Sequence, residues 1–215
     1  MQGLYLVTPD WDDSDRLLAV SAAALAAGGR AIAALQYRHK TAPPAQQLAQ
    51  AHALQQLCRQ HRVPFLINDH VDLCRQLGAD GVHLGGTDAA VASARAALGP
   101  HAIIGASCYG ALALAQAAAT AGASYVAFGG FYPSRVKRYP VSTAPALLAQ
   151  ARATLDLPCV VIGGMTADNV APLLAQGAQM VAVISSVYQA ADPGAAVRAL
   201  LAAMPGLRGG ADSAL

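Results

Sequence analysis

Gly28-Gly29-Arg30-Ala31-Ile32, Gly78-Ala79-Asp80-Gly81-Val82, Gly122-Ala123-Ser124-Tyr125-Val126 and Gly177-Ala178-Gln179-Met180-Val181 are variants of one phrase. In each, a helical pattern stops at glycine, the usual C-terminal cap, and a short apolar run begins. A second set of apolar runs lies between them, over 4–8, 63–68, 102–107 and 158–163. Three of these have a proline at or just before their start, where a missing N–H costs a sheet least. Together they make eight short strands, separated by alanine-rich amphipathic segments such as 44–61, 89–98 and 166–175.

Eight strand–helix units in 215 residues come to about 27 residues each, near the minimum for a barrel of ~200–250 residues. A doubly wound open sheet would show the same alternation. The number of units, and polar residues gathered at strand C-terminal ends, favour an α/β protein that is a single (β/α)8 TIM barrel. No linker divides the chain, so the expected domain is 1–204, with 205–215 a flexible tail.

Composition narrows the class further. Charged residues are 12% of the chain, hydrophobic ones 55% and aromatics only 5%. Alanine is roughly a quarter, which suits closely packed helices. Such a chain buries enough surface to offset its ordering entropy, which excludes disorder. The longest apolar stretch, 111–119, is broken by Gln116 and falls far short of the ~20 residues of a membrane span. Met1-Gln2-Gly3 lacks a basic leader, and acids follow at Asp10, Asp12, Asp13 and Asp15. Cys58, Cys74, Cys108 and Cys159 form no CxxC pair and read as buried thiols of a reducing compartment. A net charge of +2 offers no polybasic footprint for nucleic acid or lipid. A soluble, cytoplasmic protein acting on small molecules is expected.

The second strand runs out through Gln36-Tyr37-Arg38-His39-Lys40. A period of two puts Gln36, Arg38 and Lys40 on one face, and at a barrel mouth they point to a multiply charged anion such as pyrophosphate. The plain alternative is a solvated strand edge. Asp69 and Asp88 follow the third and fourth strands and could form a hard-oxygen Mg²⁺ site, or equally cap the helices that follow. His83 reads as a core histidine and His70 as surface decoration; His39, His52, His61 and His101 show no metal spacing. Ser107 ends strand five without a nucleophile elbow, so it is a hydrogen-bonding candidate. The stretch Gly129-Gly130-Phe131-Tyr132-Pro133-Ser134-Arg135-Val136-Lys137-Arg138 reads as a flap over an anion, or as a solvated loop. Gly163-Gly164 after strand seven and Ile184-Ser185-Ser186 after strand eight, each opening a helix, sit where many barrels hold a phosphate.

Taken together, Gln36 to Lys40, Asn68-Asp69, His83-Leu84-Gly85-Gly86-Thr87-Asp88, Gly105-Ala106-Ser107, Tyr132 to Lys137, Ile162 to Thr166 and Ile184-Ser185 resemble the thiamine phosphate synthase family. The resemblance covers about 4–203. It implies a transferase that joins hydroxymethylpyrimidine diphosphate to thiazole phosphate, releasing pyrophosphate. It further implies that Gln36, Arg38, Lys40, Asn68, Ser107 and Lys137 hold the pyrimidine diphosphate, with Arg38, Lys40, Ser107 and Lys137 assisting catalysis. Asp69 and Asp88 would bind Mg²⁺, and Ser134, Val136, Gly164, Ile184 and Ser185 the thiazole phosphate. A homodimer is the family habit. The chain departs from the family pattern at His70, at Gly86-Thr87 and at Ser134-Arg135-Val136, and the flap loses a hydroxyl for which Arg135 would compensate. Rival readings are the related thiazole tautomerase, which has no use for Mg²⁺, and a noncatalytic phosphate-binding barrel.

Overall fold

Leu4 and Leu6 pack outward against helices while Tyr5 and Val7 face the other way, toward the barrel axis. This is the two-residue period of extended chain, and it repeats around the whole sheet. The computed structural model describes residues 1–85, 88–133 and 142–206, with Asp88 and Ala89 as backbone only. Strand β1 (Gly3–Val7) leads to α1 (Ser14–Gly28), β2 (Ile32–Tyr37) to α2 (Pro44–His61), β3 (Phe65–Asn68) to α3 (Val71–Leu77) and β4 (Gly81–Leu84) to α4 (Asp88–Leu98). The second half continues with β5 (Ile103–Tyr109), α5 (Leu112–Thr120), β6 (Tyr125–Gly129), α6 (Ala146–Thr154), β7 (Cys159–Ile162), α7 (Ala171–Ala175), β8 (Met180–Val183), α8 (Ser185–Tyr188) and α9 (Pro193–Ala202). Every neighbouring pair is parallel and β8 pairs with β1, closing a (β/α)8 TIM barrel.

The barrel axis is filled by a few large side chains and many small ones. Tyr5, Leu66, Tyr125, Val160 and Met180 are packed with Ala34, Ala127 and Ala182 between them. Gly105 makes this possible. A Cβ there would lie 2.0 Å from Cζ of Tyr125, so the absence of a side chain on β5 lets the Tyr125 ring lie across the axis. A larger apolar layer, including Leu17, Leu25, Leu54 and Leu148, seals the strands against the helices.

Some boundaries differ from the sequence reading. β2 ends at Tyr37 because the Thr8 hydroxyl takes over at Arg38: it accepts from the Arg38 N–H at 2.8 Å and donates to the Arg38 carbonyl at 2.9 Å. The segment 166–175 is not helical throughout; only Ala171–Ala175 is. Asn169 holds the earlier part as a turn, accepting from the Thr166 N–H and donating to the Gly164 carbonyl. Gly163-Gly164 therefore does not open a helix directly. Of the tail expected at 205–215, Pro205 and Gly206 form a turn and the remainder lies outside the described residues.

All four cysteines are buried and none is in a disulfide. Burial pushes the Cys58 thiol up to about 12 and the Cys74 thiol up to about 11, with Asp80 adding to both. Among the described residues no helix is long and apolar enough to cross a membrane.

Arg95 ties three segments of the α-helical rim together. Its guanidinium donates to the carbonyls of Gly99, Pro100, Ala102 and Gly122 and to the Ser124 hydroxyl, which itself accepts from the Ile104 N–H. Removing it orphans several carbonyls at once. Arg95→Ala is expected to cost about 3 kcal/mol of stability in urea denaturation; a loss below about 0.5 kcal/mol, the range of ordinary surface substitutions, would show that water replaces the clamp.

Candidate active site

The C-terminal ends of the strands converge on a cavity of about 310 Å³, within the range of small-ligand sites. Gln36, Arg38, Lys40, Asn68, Asp69 and Ser107 line it on one side, and Gly164, Ile184 and Ser185 on the other. The structure thus brings together nine of the thirteen residues singled out from sequence. Lys137, Ser134, Val136 and Arg135 lie outside the described residues. Asp88 is described by its backbone alone, as the first residue of α4 just past β4.

Arg38 does not reach the mouth unassisted. Asp10, on the loop after β1, accepts from its Nη1 with both carboxylate oxygens at 2.9 Å, and one of these oxygens also accepts from the Lys40 N–H at 2.9 Å. The Arg38 side chain is only 19% exposed while that of Lys40 is 57% exposed, so one cation is fixed and the other stays adaptable. His39 points the opposite way. Its ring is buried, Nε2 facing Asp12 at 3.2 Å and Nδ1 accepting from the Ala42 N–H, which agrees with a structural role.

Asp69 stands at the third strand end with φ at +61°, the left-handed region that aspartate tolerates better than most residues. Its Oδ2 accepts from Asn68 Nδ2 at 2.7 Å and lies 3.8 Å from Lys40 Nζ. The helix-capping alternative fails for Asp69. The cap position of α3 is His70, and no side chain there accepts a capping hydrogen bond. The Asp69 carboxylate is thus not used to cap the helix.

The floor of the cavity is polar and ordered. Gln36 Nε2 donates to the Tyr5 hydroxyl at 2.7 Å, the Tyr5 and Tyr125 hydroxyls are 2.7 Å apart, Tyr125 lies 2.9 Å from His83 Nδ1, and His83 Nε2 lies 2.9 Å from Ser107 Oγ. Burial pushes both phenols well above their ordinary range, so both keep their protons. The sequence reading of His83 as a core histidine is corrected here. Its ring is half-buried, stacks on Tyr125 at an interplanar angle of 20° and lines the cavity. The period of β4 carried the signal: Val82 and Leu84 pack outward, so His83 must face the axis.

On the far wall Gly164 has φ of +68°, and a Cβ there would lie 2.2 Å from the Pro133 carbonyl oxygen. Bare backbone of the β7 loop therefore meets the start of the flap, and Tyr132 donates to the Asn169 carbonyl at 2.9 Å across the same junction. Besides Asp10 and His83, the sequence reading missed Tyr109. It lines the mouth with φ of +52° just beyond a register shift in β5, a strained placement of the kind that gathers at functional sites.

Two cations, a carboxylate and hydroxyl donors around a cavity at the C-terminal mouth of a (β/α)8 barrel define a class, the barrel enzymes that handle phosphorylated small molecules. Comparison with known proteins carries this further. The profile of the thiamine monophosphate synthase family matches residues 4–187. A thiamine-phosphate synthase of Janthinobacterium sp. (strain Marseille) is 60% identical over 201 residues, 94% of this chain and 96% of that protein. One from Xylella fastidiosa (strain 9a5c) is 50% identical over 198 residues, 92% of this chain and 82% of the other. The solved thiamine phosphate pyrophosphorylase of Pyrococcus furiosus superposes with a TM-score of 0.80 at 30% identity, covering 96% of each chain. The chain belongs to the thiamine monophosphate synthase family and is a transferase of thiamine biosynthesis.

The Arg38 and Asp10 side chains are 19% and 35% exposed, and pairs still open to solvent contribute little to stability, about 0–1 kcal/mol. The weight of this pair falls instead on positioning. Asp10→Ala is expected to leave the melting temperature nearly unchanged and to lower kcat/KM about tenfold, since a misplaced cation forfeits orientation; steady-state kinetics that match the unaltered enzyme would show that Arg38 keeps its place without Asp10.

Proposed function

We propose that this mouth binds a pyrimidine diphosphate and ionises it, so that 4-amino-2-methyl-5-hydroxymethylpyrimidine diphosphate and thiazole phosphate, or its carboxylated form, become thiamine phosphate. The observation that carries the reading is the convergence of Arg38, Lys40, Asn68, Asp69 and Ser107 on one cavity whose opposite wall includes Gly163, Gly164, Ser185 and Ser186. A diphosphate suits the first group and a single phosphate suits the second.

The chemistry follows from where charge develops. The C–O bond of the pyrimidine diphosphate breaks with both electrons leaving on pyrophosphate, and a cation stabilised by the pyrimidine ring remains. The thiazole nitrogen supplies its lone pair to that carbon and closes the C–N bond. With the carboxylated thiazole, loss of CO₂ follows. Arg38 and Lys40 meet more negative charge on the departing group than on the bound substrate, so they lower the barrier rather than merely tightening binding. Ser107 and Asn68 orient the same group. No strong general base is required for these steps; positioning and fixed charge carry them.

Asp69 fits a divalent cation by its chemistry: an exposed carboxylate, spared from helix capping, beside the two diphosphate-side cations. Asp69 and Asp88 would hold Mg²⁺, which supplies further charge neutralisation to the diphosphate when bound. Lys137 would close on the diphosphate from the flap, and Ser134, Val136, Gly164, Ile184 and Ser185 would hold the thiazole phosphate. These assignments rest on the family resemblance and on the positions of those residues that are described.

The test is product formation from the two substrates by the purified protein, with Mg²⁺ and with chelator. Thiamine phosphate formed only with Mg²⁺ is expected; no product from folded protein under either condition would overturn the reading. Within the active enzyme, Arg38→Ala is expected to lower kcat/KM by about 10²-fold, the scale of losing a charge-assisted contact to a developing anion. A loss below about threefold would remove Arg38 from the leaving group.

A further inference from the structure

The floor of the cavity joins five strands through four consecutive hydrogen bonds: Gln36 on β2, Tyr5 on β1, Tyr125 on β6, His83 on β4 and Ser107 on β5. Distances alone leave the direction of the last three bonds open, because hydroxyls and imidazole can each donate or accept. The chain resolves them. Gln36 Nε2 can only donate, so the Tyr5 oxygen accepts there and its own proton must find another acceptor. Within this buried pair that acceptor is Tyr125. Tyr125, having accepted, sends its proton to His83 Nδ1. His83 then carries its ring proton on Nε2 and donates to Ser107 Oγ. Ser107, having accepted from below, is left with its own proton to donate into the mouth.

The opposite direction fails on satisfaction. If Ser107 donated to His83, Tyr125 would donate to Tyr5, and the Tyr5 oxygen would receive two donors while its own proton, fully buried, had no acceptor. Native interiors avoid a buried donor left in that state. Both phenols are held protonated by burial, so neither can escape the constraint by ionising.

We infer that Tyr5, Tyr125 and His83 form a polarity relay that fixes Ser107 as a hydrogen-bond donor toward an anion in the mouth, with Gln36 setting the direction from the far end. The relay's target rests on the proposed diphosphate site; its direction does not. The consequence is functional because an unconstrained serine can turn its lone pairs to the ligand, and a lone pair facing a diphosphate oxygen repels it. The relay removes that alternative. Tyr5, Tyr125 and His83 act through Gln36 and Ser107 and are positioning residues.

Nitrogen-15 NMR of histidine-labelled protein tests the direction without substrate, the His83 resonances being identified by their loss in His83→Gln. The relay requires the Nε2–H tautomer, and in Tyr125→Phe the Nδ1 resonance moves toward that of an unbonded ring nitrogen. Finding Nδ1–H in the unaltered protein overturns the relay and needs no variant to fold. The kinetic arm uses a cycle. Tyr125→Phe and Ser107→Ala are each expected to lower kcat/KM for the pyrimidine diphosphate about tenfold, chiefly through kcat, and the double variant is expected to lose no more than Ser107→Ala alone. Losses that multiply would mean Tyr125 acts by packing, and would contradict the relay. An unaltered enzyme that makes no thiamine phosphate would instead defeat the functional reading while leaving the tautomer result intact.

Discussion

Everything at the mouth depends on how little room there is inside the barrel. Short strands close on one another around an axis padded with alanine, and only because Gly105 has no side chain can the ring of Tyr125 cross it. Two tyrosines then stand in the middle of a hydrophobic interior with hydroxyls that must be satisfied. They satisfy each other and, through Gln36 and His83, carry hydrogen bonding upward to the surface of the cavity. A wider, purely aliphatic axis would leave Ser107 and Gln36 as two unrelated polar side chains.

The same economy governs the cations. Thr8 ends β2 by capturing both backbone polar groups of Arg38, and Asp10 then takes the guanidinium and the Lys40 N–H. Two residues from the loop after β1 therefore arrange the residues after β2. Protein groups alone hold this arrangement, which lessens the reorganisation that water would need in forming such a shell. The proposed dissociative departure of pyrophosphate is favoured by positive charge held in the right place.

The barrel was legible because its signals are local and repeated. A glycine cap followed by an apolar run recurs at Gly78, Gly122 and Gly177, and each does precede a strand. Pro44 and the αL cap at Arg62 bound α2 as the pattern indicated. Gln36, Arg38 and Lys40 were readable from a period of two, although β2 ends at Tyr37 and Thr8 and Asp10, not strand geometry, hold the last two. What escaped was non-local. Asp10 looked like one acid among several near the chain start, and nothing in its neighbours says that it meets Arg38, which is 28 positions away. His83 was misplaced because a lone histidine among apolar residues resembles core, although the outward packing of Val82 and Leu84 determines its direction. The helix expected over 166–175 shrank because the Asn169 side chain competes for backbone groups.

The central claim is that the mouth is a prearranged site for a diphosphate, held by Arg38 and its neighbours with a divalent cation. The most direct measurement is calorimetric titration of the protein with inorganic pyrophosphate in the presence of Mg²⁺, repeated on Arg38→Ala. The account requires one site per chain and an affinity at least about tenfold weaker in the variant, a difference of about 1.4 kcal/mol. Absence of binding to the folded protein, or equal affinity in the two, would contradict it.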